Sequence, residues 1–299
     1  MKKTAWAHSG LLLVNLIYGA NHTIARDVMP NYVKPFGFIL LRVWGAGILF
    51  LLVHTLWVKE KIDKKDIPRL FLCAVFGIAV NQLLFFKGLS MSTPIHSAII
   101  VTTNPIAVLL FASLLIKEAI TFQKVLGIAL GAIGAITLIV FGKEVNQGTN
   151  TFTGDVYICL NSISYSIFIV IVKPLMTRYH PVTVTKWVFI FGMAMVLPFG
   201  FTEFMEISWK ALPTGIVSEI LYVVIGATFF GYLLNTLALK VLNASIVSIY
   251  IYIQPILAVV IAIGFGKDKL TMVSIIASAL IFSGVYLVSR TTALQNNLE

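Results

Sequence analysis

The sequence predicts an all-α integral membrane protein with ten transmembrane helices, built as two inverted five-helix repeats. Three observations carry that expectation. Of 299 residues, 59% are hydrophobic and 11% charged, with a mean hydropathy of +0.95, whereas a soluble domain carries about 25% charged residues. The apolar residues collect in runs of about 20, the length a helix needs to cross a hydrocarbon layer of roughly 30 Å. Finally, "NPIAVLLFASLLIKEAIT" (Asn104 to Thr121) is answered without a gap by "QPILAVVIAIGFGKDKLT" (Gln254 to Thr271), 150 positions later.

Ten segments satisfy the length rule: 4–25, 35–58, 68–89, 93–116, 121–142, 153–175, 181–202, 213–238, 243–266 and 270–289. The first follows Lys2 and Lys3 and resembles a signal peptide. It stays apolar beyond the usual core of such a peptide and has no clear small-residue cleavage site, so it reads as a retained helix. The second and third flank the basic spacer 59–67, with Lys59, Lys61, Lys64 and Lys65. The fourth and fifth meet at Lys117–Glu118, and the ninth and tenth at Lys267–Asp268. Spacers this short leave no room for a soluble domain. Backbone groups in lipid must bond within their own segment, which makes these helices; a barrel would need alternating segments of about ten residues.

Basic residues set the expected orientation. With the N-terminus inside, fourteen Lys and Arg fall at cytoplasmic ends and seven outside, Arg42 within a helix completing the 22. The bias places both termini in the cytoplasm and the chain in the cytoplasmic membrane. The net charge of +10 therefore reads as a topology signal and not as a nucleic-acid footprint. Cys73 and Cys159 lie in apolar runs, without the spacing of a disulfide framework or a metal site. No metal and no cofactor is expected.

The repeat keeps register beyond its opening string. "KGLSMSTP" (Lys87 to Pro94) overlays "LALKVLNA" (Leu237 to Ala244), and "GAIG" (Gly131 to Gly134) overlays "IFSG" (Ile281 to Gly284). "YGANHTIAR" (Tyr18 to Arg26) matches "YSIFIVIVK" (Tyr165 to Lys173) at an offset of 147. Five of the eighteen opening positions are identical, which shared composition alone could produce. The common register of proline, Lys–acid–x–x–Thr and glycine argues for duplication. Five crossings per copy is an odd number, so the second copy enters the membrane upside down. The organisation expected is a first repeat over 1–142, an outer linker over 143–152, a second repeat over 153–290 and a cytoplasmic tail over 291–299. Inverted repeats of this kind place a substrate site near mid-membrane, between the copies.

These motifs resemble the drug/metabolite transporter superfamily, in particular its EamA-type ten-helix carriers. "YGANHTIAR" stands where the family has a Trp-Gly…Lys pattern, "KGLSMSTP" and "LALKVLNA" where it has Ala-Leu-Lys-Tyr-Thr-Ser-Ala, and both Pro…Lys-acid-x-x-Thr…Gly blocks are present. The resemblance covers roughly residues 5 to 290. It implies a secondary transporter working by alternating access on a small metabolite, best matched by an amino acid or related compound, with export the expected direction. It also implies a cavity lined by helices 1, 3, 4, 6, 8 and 9. The alternative is a lipid scramblase or another non-enzymatic membrane protein of the same fold. An enzyme is disfavoured because HExxH, GxSxG and paired buried carboxylates are missing, and ATP-driven pumping because no P-loop is present. The expected partners are a small-molecule substrate and the lipid bilayer; oligomeric state is left open.

Helical spacing sorts the intramembrane polar residues into faces. Asn15, Tyr18 and His22 share a face on the first helix, as do Asn161 and Tyr165 on the sixth. Thr228, Tyr232 and Asn235 do so on the eighth, Ser248 and Tyr252 on the ninth; Asn81 and Gln82 add to the third, Thr102 and Thr103 to the fourth. Such residues can equally bond helix to helix. As cavity lining, aromatics with neutral amides suit zwitterionic or aromatic metabolites better than polyanions, which call for several buried cations. Arg42 is the buried cation, a candidate contact for an anionic group, whereas Lys186 lies five residues from Pro181 and can snorkel. Pro105 and Pro255, at matching positions, each remove a helix hydrogen bond and are candidate hinges. Asp27, Glu118, Asp155, Glu203, Glu219 and Asp268 all sit near helix ends, so carboxylate-based proton coupling has no support.

Overall fold

A computed structural model of the chain describes residues 2–29, 31–91, 100–141, 151–254, 256–257, 260 and 272–295. Among the described residues the secondary structure is helical, without a strand. The helices are α1 (Lys2–Val28), α2 (Pro35–Val58), α3 (Lys64–Met91), α4 (Asn104–Ile116) and α5 (Phe122–Phe141). After them come α6 (Thr151–Arg178), α7 (Pro181–Met205), α8 (Thr214–Val241), α9 (Ala244–Ile249) and α10 (Met272–Gln295).

Among the described residues, five helices are long and apolar enough to cross a membrane: α2, α3, α6 from Phe152, α7 and α8. The ten expected crossings are thus met in part. On α1, His8, Asn15 and Asn21 dilute an apolar run of sufficient length. The apolar parts of α4, α5 and α10 are shorter, and residues 92–99 before α4 lie outside the described set. So do 261–271 after α9, and with them Lys267, Asp268 and Thr271 of the second motif.

The first Lys-acid-x-x-Thr motif has a plain structural meaning: it builds the corner from α4 to α5. Lys117 takes a left-handed conformation (φ 57°) that ends α4. Glu118 then returns its N–H to Ala112 O, 3.1 Å away, while the Thr121 hydroxyl accepts from Lys124 N at 3.3 Å. Lys124 Nζ reaches back to Glu118 Oε1 (2.9 Å) and Ala119 O (2.8 Å), with both charged side chains buried. A buried pair broken on one side leaves a bare charge, so Lys124→Met is expected to lower stability by about 3–5 kcal/mol. Thermal unfolding of the purified variant checks this, an unchanged Tm contradicting it.

Charged ties hold the helix ends. Glu203 of α7 accepts the N–H groups of Phe36 (2.7 Å) and Gly37 (2.9 Å), satisfying donors that the start of α2 would otherwise leave open. Beside it, Glu206 hydrogen-bonds the exposed Lys34 at 2.6 Å and raises the pKa of that ammonium. At the opposite end Asp66 accepts from Arg178 Nη1 (2.9 Å) and the Tyr179 hydroxyl (2.8 Å). Lys173 Nζ caps the last turn of α8 through Leu239 O and Leu242 O.

Two pairs of helices pack along much of their length, α2 with α7 and α5 with α10. Each pair joins matching places in the two halves of the sequence. Glycines allow the second approach: a Cβ on Gly134 would sit 2.8 Å from Ala277 O, and one on Gly284 would meet Gly127 O. Small residues at such crossings are how membrane helices bring backbones together without a hydrophobic driving force.

Candidate substrate cavity

Polar side chains of α1, α3, α6 and α8, Asn15, Tyr18, Asn81, Asn161, Tyr232 and Asn235 among them, converge on an interior cavity of about 150 Å³. Pockets for drug-sized ligands run to about 300–1,000 Å³, so the space suits a small solute. Of the residues singled out by helical spacing, Asn15, Tyr18, Asn81, Gln82, Asn161, Tyr165, Tyr232, Asn235 and Ser248 line it, and Arg42 joins them from α2.

The walls are cross-linked. Asn15 Nδ2 donates to Leu11 O (2.7 Å), and its Oδ1 accepts from Gln254 Nε2 (3.0 Å). Asn235 Nδ2 donates to the Tyr18 hydroxyl at 3.3 Å. Gln82 Nε2 donates to Asn81 Oδ1 (2.9 Å) and to the Tyr232 hydroxyl (3.1 Å), which itself donates to Gly77 O at 2.8 Å. Asn161 Nδ2 reaches Asn81 O at 2.8 Å. These bonds fix the rings of Tyr18 and Tyr232 and the amides between them.

Arg42 stands apart from this neutral network. It is 5% exposed, and its Nε donates to Thr228 Oγ1 at 3.0 Å while the guanidinium lies 5.2 Å from the Phe86 ring centroid. No carboxylate pairs with it among the described residues. A guanidinium stays protonated in proteins, so the cavity holds a fixed positive charge without a counter-ion among the described residues. Three lining amides carry the opposite deficit. Asn21 Oδ1, Gln82 Oε1 and Asn104 Oδ1 are buried acceptors without a donor. The cavity therefore offers one cationic fork and several amide carbonyls to whatever enters.

Five other candidates lie elsewhere, among them Thr102, which is buried outside the lining. Tyr252 is fully buried, its ring against Gly131 and its hydroxyl donating to Thr102 O at 2.9 Å. Thr103 hydrogen-bonds Ile100 O at 2.7 Å, in the break that precedes α4. Thr228 sits under Arg42 as its acceptor. Pro105 is buried at the start of α4, directly after that break. The side chain of His22 and the whole of Pro255 lie outside the described residues. Asn104, beside Thr102 and Thr103 on the fourth segment, and Gln254, on the flank of the ninth, also line the cavity, whereas Asn21 and Thr236 are lining residues that helical spacing did not single out. Asn21 was findable, three positions after Tyr18 on the same face. Asn104 and Gln254 are the amides immediately before the two matched prolines.

A family model described as the EamA-like transporter family matches residues 5–140 and again 152–290. An uncharacterized transporter of Archaeoglobus fulgidus is 24% identical over 262 residues, covering 87% of this chain and 90% of the relative. The uncharacterized transporter YyaM of Bacillus subtilis is 23% identical, covering 92% and 90%. A protein of Streptantibioticus cattleyicolor named as a probable terminal-alkyne amino-acid exporter is 22% identical, covering 98% and 95%. A solved crystal structure superposes with a TM-score of 0.74 at 16% identity, covering 97% of this chain and 98% of the other, a likeness of fold.

Proposed function

The chain belongs to the EamA-like transporter family, and on that premise we propose that it is a secondary carrier of a small amino acid or related zwitterion. One observation carries the choice of substrate: an unpaired buried guanidinium shares a cavity with three unpartnered amide carbonyls. A substrate carboxylate supplies the acceptor that Arg42 lacks, as a charge-assisted and bidentate bond. A substrate ammonium supplies donors to Asn21, Gln82 and Asn104. Polyanions are a poor match, because Arg42 is the single cation of the lining among the described residues. The relative named as an amino-acid exporter supports the same class and export as the direction.

The proposed mechanism is alternating access between two inverted repeats, 1–142 and 153–290, with no covalent chemistry. Residues at matching positions of two copies related by a two-fold axis touch each other only near that axis. Gln82 bonds Tyr232, and Tyr252 bonds Thr102, each across 150 positions, which supports an axis running beside the cavity. The Gly134–Ala277 approach and its counterpart Gly284–Gly127 are reciprocal under the same shift. Pro105 and Pro255 remain the proposed hinges, the first directly after the helix break at Thr102–Thr103. Basic-residue bias supports a cytoplasmic-membrane location with both termini inside.

A thermal-shift series against the amino acids tests the substrate class, since a ligand held only by the folded state raises Tm with concentration. Neutral amino acids are expected to stabilise; a response confined to phosphorylated anions overturns the reading. Within the same cavity, Asn235→Ala strips the Tyr18 hydroxyl of its donor. A neutral hydrogen bond contributes about 0.5–1.5 kcal/mol, so KM for transport is expected to rise about 2–10-fold with little change in Tm. The concentration dependence of flux in vesicles checks it.

A further inference from the structure

A second polar site lies away from the cavity, where α2 ends and α7 begins. We propose that it is a binding site for the phosphate of an anionic membrane lipid. The site is lined by His54, Lys59, Glu60, Lys61, Lys186 and Trp187. It rests on the chain's place in a membrane-transporter family and not on the identity of the substrate.

The last turn of α2, His54–Val58, widens into a π-helix, and Lys59 follows in the left-handed region (φ 50°) with its N–H on His54 O at 2.9 Å. That turn folds residues 59–62 back against α7. There Lys186 is 8% exposed, with Nζ 3.4 Å from His54 Nδ1 and 4.7 Å from the Trp187 ring centroid. His54 Nε2 lies 3.0 Å from Glu60 O. With the proton on that nitrogen, Nδ1 is free to accept from the ammonium. One neutral acceptor and one aromatic face leave most of the ammonium's donor capacity unused. No carboxylate pairs with Lys186 among the described residues. The neighbouring acid is already engaged, since Glu60 Oε2 accepts His180 N–H at 2.8 Å.

A buried ammonium without an anion is costly, and Lys59 and Lys61, both exposed, add charge of the same sign at the rim. The missing component is an anion that two or three ammonium groups can share. A lipid phosphodiester fits better than a free anion because Leu56 and Trp57, 60% and 73% exposed, adjoin the site on the same turn. Trp concentrates at membrane–water boundaries, and basic pockets between helices hold anionic headgroups. By the basic-residue bias this is the cytoplasmic end, where the anionic leaflet is expected.

The test titrates the purified full-length protein in neutral detergent with short-chain phosphatidylglycerol, short-chain phosphatidylcholine and inorganic phosphate, following Tm. Phosphatidylglycerol is expected to raise Tm saturably and phosphatidylcholine to leave it unchanged. Lys186→Met is expected to remove the shift. Lys59→Ser/Lys61→Ser, at exposed positions that leave the packing intact, is expected to weaken apparent affinity about tenfold. Equal shifts from the two lipids, or a shift surviving in Lys186→Met and in the double variant, overturn the proposal. A response to inorganic phosphate that phosphatidylglycerol does not reproduce rejects the lipid as the source of the anion. Amino-acid flux measured on the same variants separates this outcome from failure of the substrate reading, because none of these residues lines the cavity.

Discussion

Arg42→Gln is expected to raise the KM for a carboxylate-bearing substrate at least about 30-fold while leaving the protein folded. Losing one partner of a desolvated, hydrogen-bonded charge pair costs about 2–5 kcal/mol, and about 1.4 kcal/mol is a factor of ten. Glutamine keeps much of the side-chain volume and can still donate to Thr228 Oγ1, but it lacks the charge and the fork. The stability effect runs the other way. Without a substrate carboxylate, Arg42 is a buried cation that rests on a threonine hydroxyl and the face of Phe86, with no carboxylate paired to it among the described residues. Removing an uncompensated buried charge relieves desolvation, so Tm should hold or rise. Arg42→Lys keeps the charge without planar bidentate geometry and should fall between the two. Flux kinetics together with Tm on the three proteins decide the matter. Wild-type KM in Arg42→Gln, or lost flux explained by a collapsed Tm, removes Arg42 from the substrate site.

Gly284→Val is expected to prevent recovery of a stable monodisperse protein. A Cβ at this position meets Gly127 O and lies 2.9 Å from Gly131 N, both backbone atoms of α5. Backbone within a helix cannot step aside as a side-chain tip does. Overpacking costs about 1–3 kcal/mol where side chains can move, and occasionally more, so about 3 kcal/mol or more is expected here. Gly284→Ala should already lower Tm, whereas Phe282→Val, at a position 52% exposed on the same helix, should not. Normal Tm values for both glycine variants would mean that α5 and α10 do not meet as described.

Much of this arrangement was legible in the residues, and the misses have physical causes. Spacing of i, i+3 placed Asn15 and Tyr18 on one face of α1, and both line the cavity because α1 is a regular α-helix there. The same arithmetic grouped Ser248 with Tyr252, yet only Ser248 is in the lining. The chain tightens to a 3₁₀ turn over Tyr250–Tyr252, a period near three residues, and Tyr252 swings against Gly131. On α8 the grouping of Thr228 with Tyr232 and Asn235 crosses the end of a π-helical stretch, Tyr222–Phe230. Thr228 consequently faces Arg42, bonded to Val223 O at 2.7 Å. Departures from 3.6 residues per turn leave no mark on a hydrophobicity pattern, so such rotations escape a reading by period. Tertiary pairing escapes it too: the spacing of Lys and acid in the first motif suggested a helix end, but not that Lys124 closes the corner onto Glu118.

The central claim, a carrier that grips a small zwitterion between Arg42 and the cavity amides, is tested most directly by counterflow in proteoliposomes. Purified protein is reconstituted with unlabelled neutral amino acids inside, labelled amino acid is added outside, and a fluorescent lipid reports on bilayer translocation. The account predicts saturable exchange of the amino acid, strongly reduced in Arg42→Gln, with no protein-dependent lipid movement. Lipid movement without amino-acid exchange, or exchange that Arg42→Gln leaves untouched, would contradict it.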